Sequence, residues 1–180
     1  MTERTPIFST RDLALCALFT ALIAIFSQIA IPLPMGVPVN MALLAVYLCA
    51  LLIPFKFSML SIAAFLLLGL IGVPVFAGFR GGPAALFGKT GGYLMGYLLT
   101  GAAIGLTRKW VTSFWARCSA MLLGLLLCYV FGTLWFMNLT NLGLMESLGY
   151  CVIPFLPGDA AKILLAAMLA PRLATAIKRM

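Results

Sequence analysis

Only four acidic side chains occur in this 180-residue chain, and one of them has a basic neighbour at a telling distance. Asp159 follows Pro157 and Gly158 at the start of the last apolar segment, and Lys162 lies three residues on, on the same face if the segment is helical. Two readings are open. A carboxylate at a helix start can cap exposed backbone N–H groups and face the positive end of the dipole, while the lysine neutralises it and snorkels outward. Alternatively the pair is a ligand clamp, with the carboxylate accepting ligand N–H groups or the ammonium meeting a ligand carboxylate. An ionisable residue within a membrane helix costs roughly 2.5–3.5 kcal/mol near the centre on insertion scales, so its presence asks for a function.

Nothing else in the chain is equipped for catalysis. Histidine is absent, which removes the commonest general base and metal ligand. Glu3 and Asp12 fall in the N-terminal region, Glu146 in a connection, and Asp159 has no second carboxylate near it in sequence. The five cysteines, Cys16, Cys49, Cys118, Cys128 and Cys151, form no Cys-x-x-Cys pair and lie mostly in apolar runs, where a thiol behaves as a small hydrophobe. No catalytic residue, metal site or cofactor is therefore expected. The stretch from Gly82 through Gly88, Lys89 and Thr90 imitates a phosphate-binding loop but fails on spacing. Five residues separate Gly82 from Gly88 where four are needed, and Pro83 stands where the glycine should be.

The elements that carry these residues follow from composition. Hydrophobic residues make up 64% of the chain and charged residues 9%, against roughly 45–50% and 25% in a soluble domain. Apolar segments fall at about 13–31, 40–55, 58–76, 91–107, 118–137 and 159–177. The expectation is an all-α integral membrane protein, a single bundle of six transmembrane helices occupying residues 1–180. The first segment is too long for a signal-peptide core and leads into no soluble region, so it reads as a retained helix. Pro54 and Lys56 divide the second segment from the third, which predicts a tight helical hairpin there.

Charge sets the orientation. Arg4, Arg11, Lys56, Arg108, Lys109, Arg117, Arg172, Lys178 and Arg179 all fall on one side if both termini are cytoplasmic, nine of the twelve basic residues. Because these charges are topology signals and form no basic face, the net charge of +8 implies no nucleic-acid partner. The opposite side carries irregular connections. Residues 31–38 hold three prolines, 78–92 hold six glycines, and 138–158 end in Pro154, Phe155, Leu156, Pro157 and Gly158. Irregular backbone near a membrane survives only where protein or a wet cavity satisfies it, so a binding site is expected beneath these three loops.

Two stripes of small residues remain. Ala14, Ala17, Ala21 and Ala24 share one face of the first helix, and are either an internal seam or a docking face for another membrane protein. Gly88, Gly92, Gly96, Gly101 and Gly105 predict close internal packing of the fourth segment.

Several blocks carry a family resemblance. The run Gly72, Val73, Pro74, Val75, Phe76, Ala77, Gly78, then Gly81 and Gly82, then Thr90, Gly91, Gly92 and Tyr93, resembles the BioY family of biotin-specific S components of energy-coupling factor (ECF) transporters. Gly132, Thr133, Leu134 and Trp135 agree with it, as does the run from Pro154 to Asp159 followed by Lys162. The resemblance covers essentially the whole chain and is weakest in the first two segments. It implies biotin uptake across a bacterial cell membrane by a multi-pass, non-enzymatic receptor, energised by a transmembrane coupling protein and cytoplasmic ATPase subunits. The alanine stripe then looks like the docking face for that coupling protein. Biotin fits the pair read above, since its ureido ring offers N–H donors and a carbonyl and its tail a carboxylate. The binding set so implied is Asp159, Lys162, Asn40, Lys89 and Thr90, the backbone N–H groups of Gly81, Gly82 and Gly91, and walls from Phe79, Tyr93 and Tyr150. Lys89 stands where the family often has proline, and is either an additional anion contact or a lysine that snorkels outward, while Asn40, Met41 and Ala42 stand where many members have Thr-Leu-Gln, with Asn40 replacing a polar contact of the pocket. A secondary transporter working alone is the competing reading, weakened by the lack of an inverted repeat or a buried relay of protonatable groups.

Overall fold

A computed structural model describes residues 9–32 and 37–179, so Glu3, Arg4 and Pro34 lie outside the described residues, as does the side chain of Arg179. The described chain is mostly helical. In order come α1 (Thr10–Gln28), β1 (Ala30–Ile31), β2 (Val39–Asn40), α2 (Ala42–Leu52), α3 (Phe55–Leu70), α4 (Pro83–Leu86), α5 (Gly91–Thr107), α6 (Phe114–Thr140), α7 (Leu144–Cys151) and α8 (Leu156–Arg179). Three of these, α1, α6 and α8, are long and apolar enough to cross a membrane, and α2 and α3 are shorter apolar helices.

Local chemistry accounts for most boundaries. Ser9 caps α1 by accepting from the Arg11 N–H at 3.3 Å, and Ser113 caps α6 by accepting from the Ala116 N–H at 3.1 Å. Asn141 closes α6 in the left-handed conformation, at φ 55°. The hairpin expected at Pro54 is present, because α2 stops at Leu52 and Pro54 stands as the cap of α3. Arg108, just past α5, donates to the carbonyls of Leu51 and Leu52 at 3.1 and 3.0 Å and so satisfies the end of α2. Burial draws the pKa of that guanidinium below its ordinary value.

Two helices end sooner than their apolar runs. α1 stops at Gln28, after which Ala30 and Ile31 pair antiparallel with Asn40 and Val39. α3 stops at Leu70, although the run continues to Phe76, since Gly72 turns the backbone at φ 103° and Pro74 follows. The remaining apolar residues fold back beneath the bundle end. Phe76 is 3% exposed, meets Phe65 edge to face at 5.4 Å, and lies so close to α3 that a Cβ on Gly69 would sit 2.0 Å from its ring. Gln28 clamps the same turn: its amide donates to the Val75 and Phe76 carbonyls at 2.9 and 3.2 Å, and its carbonyl accepts from the Phe79 N–H at 2.9 Å.

The closest helix pair is α5 with α6, and glycine makes it so. A Cβ on Gly92 would lie 2.3 Å from the Cβ of Trp135, and one on Gly96 2.7 Å from the sulfur of Cys128. Gly101 and Gly105 face α3 instead, against Ile62 and Phe55. The expected small-residue packing is thus split between two partner helices. Where lipid competes equally for apolar side chains, such backbone approach supplies van der Waals energy that larger residues would forfeit.

Candidate functional site

Asp159 is 2% exposed and Lys162 5%, each deep in protein. The Lys162 ammonium meets one carboxylate oxygen of Asp159 at 2.6 Å, and the Tyr129 phenol donates to the other at 2.5 Å. This arrangement overturns the cap reading. α8 begins at Leu156, three residues before Asp159, so the Asp159 N–H already bonds the Phe155 carbonyl at 2.8 Å and its carboxylate turns to side chains. Lys162 does not snorkel either, being held inward by the ion pair. A buried pair of this kind repays its desolvation only when its remaining hydrogen-bonding capacity is also used, and Tyr129 supplies part of that.

Beside the pair is a cavity of about 50 Å³. Asp159, Lys162, Asn40, Thr90 and Tyr93, all expected at the site, line it. All three irregular connections reach it as well, through Val37 and Pro38, through Thr90, and through Phe155. Its polar walls are tied down individually. The Tyr93 hydroxyl bonds that of Thr133 at 3.0 Å, and the Tyr97 hydroxyl donates to the Asn40 carbonyl at 3.3 Å. Asn40 in turn accepts from the Ala42 N–H at 3.1 Å, which couples the β1–β2 hairpin to the start of α2. A volume of 50 Å³ is well below the roughly 300–1,000 Å³ of small-molecule pockets.

Other expected residues stand away from this cavity. Phe79 is 74% exposed at the tip of its turn, at φ 55°, Tyr150 is 41% exposed, and Lys89 is exposed. Gly81, Gly82 and Gly91 do not line it, and the N–H groups of Gly82 and Gly91 bond the carbonyls of Gly69 in α3 and of Gly88 in the loop. Those glycines serve the turn itself: a Cβ on Gly91 would sit 1.9 Å from the Leu86 carbonyl oxygen. Conversely Leu43, Tyr97, Cys128, Tyr129 and Phe155 line the cavity without having been singled out. Tyr97 could have been found, one helical turn beyond Tyr93 on the same face. Tyr129, thirty residues from its carboxylate partner, leaves no local signal.

The alanine stripe faces outward. Ala14, Ala17 and Ala21 are exposed and Ala24 is half-buried, and the last three line an open groove of about 610 Å³ shared with Leu60, Ala64 and Leu68 of α3.

Comparison with known proteins places this geometry. The BioY family model matches residues 1–179. The chain is similar to the biotin transporter BioY of Thermotoga maritima, 36% identical over 163 residues that span 91% of this chain and 95% of the relative. It is similar also to the probable biotin transporter BioY of Pyrococcus horikoshii, 35% identical, covering 91% and 96% of the two chains. Among solved structures it resembles the S-component for biotin from an ECF-type ABC transporter, with a TM-score of 0.85 and 29% identity over 92% of this chain and 91% of that one.

Proposed function

The chain belongs to the BioY family, and we propose that it is the high-affinity biotin-binding S component of an ECF-type ABC transporter, taking up biotin across a bacterial cell membrane. One observation carries the reading: a buried Asp159–Lys162 pair opens on a cavity otherwise walled by aromatic and apolar side chains. Biotin has the matching parts. Asp159 accepts an N–H of the ureido ring, and Lys162 donates to a carbonyl or carboxylate oxygen. Tyr93, Tyr97 and Phe155 pack on the apolar bicycle, and Asn40 with Thr90 adds polar contacts at the rim. Groups already held in place lose little entropy when a ligand arrives, which favours tight binding.

The same reading assigns six spans, in α1, α2, α3, α5, α6 and α8, with both termini in the cytoplasm. Arg11 of α1 donates to the Ile177 carbonyl of α8, which gathers Arg11 and Lys178 at one end of the bundle. Trp110 and Trp115, 74% and 76% exposed, flank Arg108, Lys109 and Arg117 as an aromatic belt flanks a cytoplasmic basic loop. The outward stripe of Ala14, Ala17, Ala21 and Ala24 docks the transmembrane coupling protein, which transmits the work of cytoplasmic ATPase subunits. Small side chains there let a partner helix approach to backbone distance.

Equilibrium binding of biotin to the purified chain tests the assignment, with Asp159→Asn and Lys162→Ala as controls. Tight binding that both substitutions reduce by at least about tenfold, as expected for losing a hydrogen bond to a charged group, supports it. Failure of biotin to bind while another vitamin does would reject the ligand. Gradient-driven uptake by this chain alone in vesicles would instead favour a secondary transporter.

A further inference from the structure

At about 50 Å³ the cavity is well below the size of a small-molecule pocket, so a ligand that lies fully within it displaces a wall, and the walls differ in what lies behind them. Leu43, Leu94 and Tyr97 are 5–6% exposed and back onto the core. Tyr93 is pinned by Thr133, and its ring lies flush on α6, where a Cβ on Gly132 would sit 2.4 Å away. Tyr129, 8% exposed and itself packed in the core, borders a second space as well as the cavity. On one side is the cavity with Asp159, and on the other an apolar groove of about 320 Å³ between α6 and α7, lined by Leu126, Val130, Leu134, Leu144 and Leu148 among others.

We propose that Tyr129 is the movable wall of the site, its phenol holding the place on Asp159 that a ligand N–H takes when the ring turns out into the α6–α7 groove. The exchange balances in hydrogen bonds, because Asp159 gives up one O–H donor and gains one N–H donor while Lys162 stays on its other oxygen. The groove suits the displaced ring, being apolar along its length with one hydroxyl, that of Thr133. Thr133 lies four residues after Tyr129 on the same face of α6, and its oxygen has capacity beyond the bond to Tyr93. Ligands lacking an N–H to replace the phenol leave Asp159 short of a donor, so Tyr129 also selects for the ureido-type donor over a plain acceptor.

This inference rests on the biotin-binding reading and is tested with the purified full chain. Tyr129→Phe removes the competing donor and keeps the ring, so biotin is expected to bind about tenfold more tightly, the scale of one charged hydrogen bond. Leu134→Trp fills the groove from a position that is 53% exposed, and is expected to slow biotin association by about the same factor without loss of thermal stability. Weaker binding by Tyr129→Phe, or unchanged association with Leu134→Trp, overturns the inference while wild-type binding keeps the functional reading. If Tyr129→Phe does not fold, the association rate of Leu134→Trp decides alone. A wild-type chain that binds no biotin overturns both.

Discussion

Two regions of α6 stand within a few turns of each other and fill space by opposite means. Along the α5 seam, Gly92, Gly96 and Gly132 bring backbone against Trp135, Cys128 and Tyr93, leaving no room for a methyl group. On the face toward α8, Tyr129 donates to one oxygen of Asp159 while Lys162 holds the other, beside a cavity. The seam is held by shape, which cannot change by small steps. The polar face is held by hydrogen bonds, which can be exchanged one for another at little net cost. A receptor embedded in lipid needs both: a wall that does not yield and, against it, groups that trade partners.

The sharpest way to break this contrast is to remove one partner of the ion pair. Lys162→Ala leaves a buried carboxylate with Tyr129 as its remaining donor, and is expected to destabilise the chain by about 3–5 kcal/mol, read as a fall in the thermal unfolding midpoint in detergent. Lys162→Met combined with Asp159→Asn should recover most of that loss but not biotin binding. Recovery of both would mean that the pair only supports the scaffold.

The seam should respond next. Gly92→Val, forced against the Cβ of Trp135, is expected to cost about 1–3 kcal/mol or more through overpacking. Unchanged stability would show that α5 and α6 can slide apart, and that the wall is softer than its geometry implies. A smaller effect is expected from the clamp on the connecting turn. Gln28→Ala removes bonds to Val75, Phe76 and the Phe79 N–H, each worth about 1 kcal/mol, and should raise protease cleavage within 72–82 before it alters the unfolding midpoint. The smallest effect belongs to Tyr93→Phe. It loses a single neutral hydrogen bond to Thr133, about 1 kcal/mol, and should leave the ring packed on Gly132. A loss as large as that of Lys162→Ala would place Tyr93 inside the exchangeable network instead of the seam.

Much of this was readable in the residues, and the division follows the range of the forces concerned. Composition determined that the chain is built of apolar helices, and Pro54 determined the hairpin, because solvent preference and proline sterics are local. The spacing of Asp159 and Lys162 put them on one helix face, and they do pair. The outward face of the alanine stripe was left open by sequence, since both readings place the same residues on the same side of α1. The irregular connections do reach the cavity beside the charged pair, yet three of the residues given binding roles stand away from it. Phe79 and Lys89 are exposed on turns closed by Gln28 and by their own backbone bonds, and Tyr150 is exposed on α7. What only the tertiary structure decided is the company the charged pair keeps. Tyr129 and Asp159 lie thirty residues apart on α6 and α8, and Tyr97 and Asn40 fifty-seven apart on α5 and β2. No local rule relates such positions, because their meeting depends on the rotation and depth of each helix, which close packing at the α5–α6 glycines sets for the bundle as a whole.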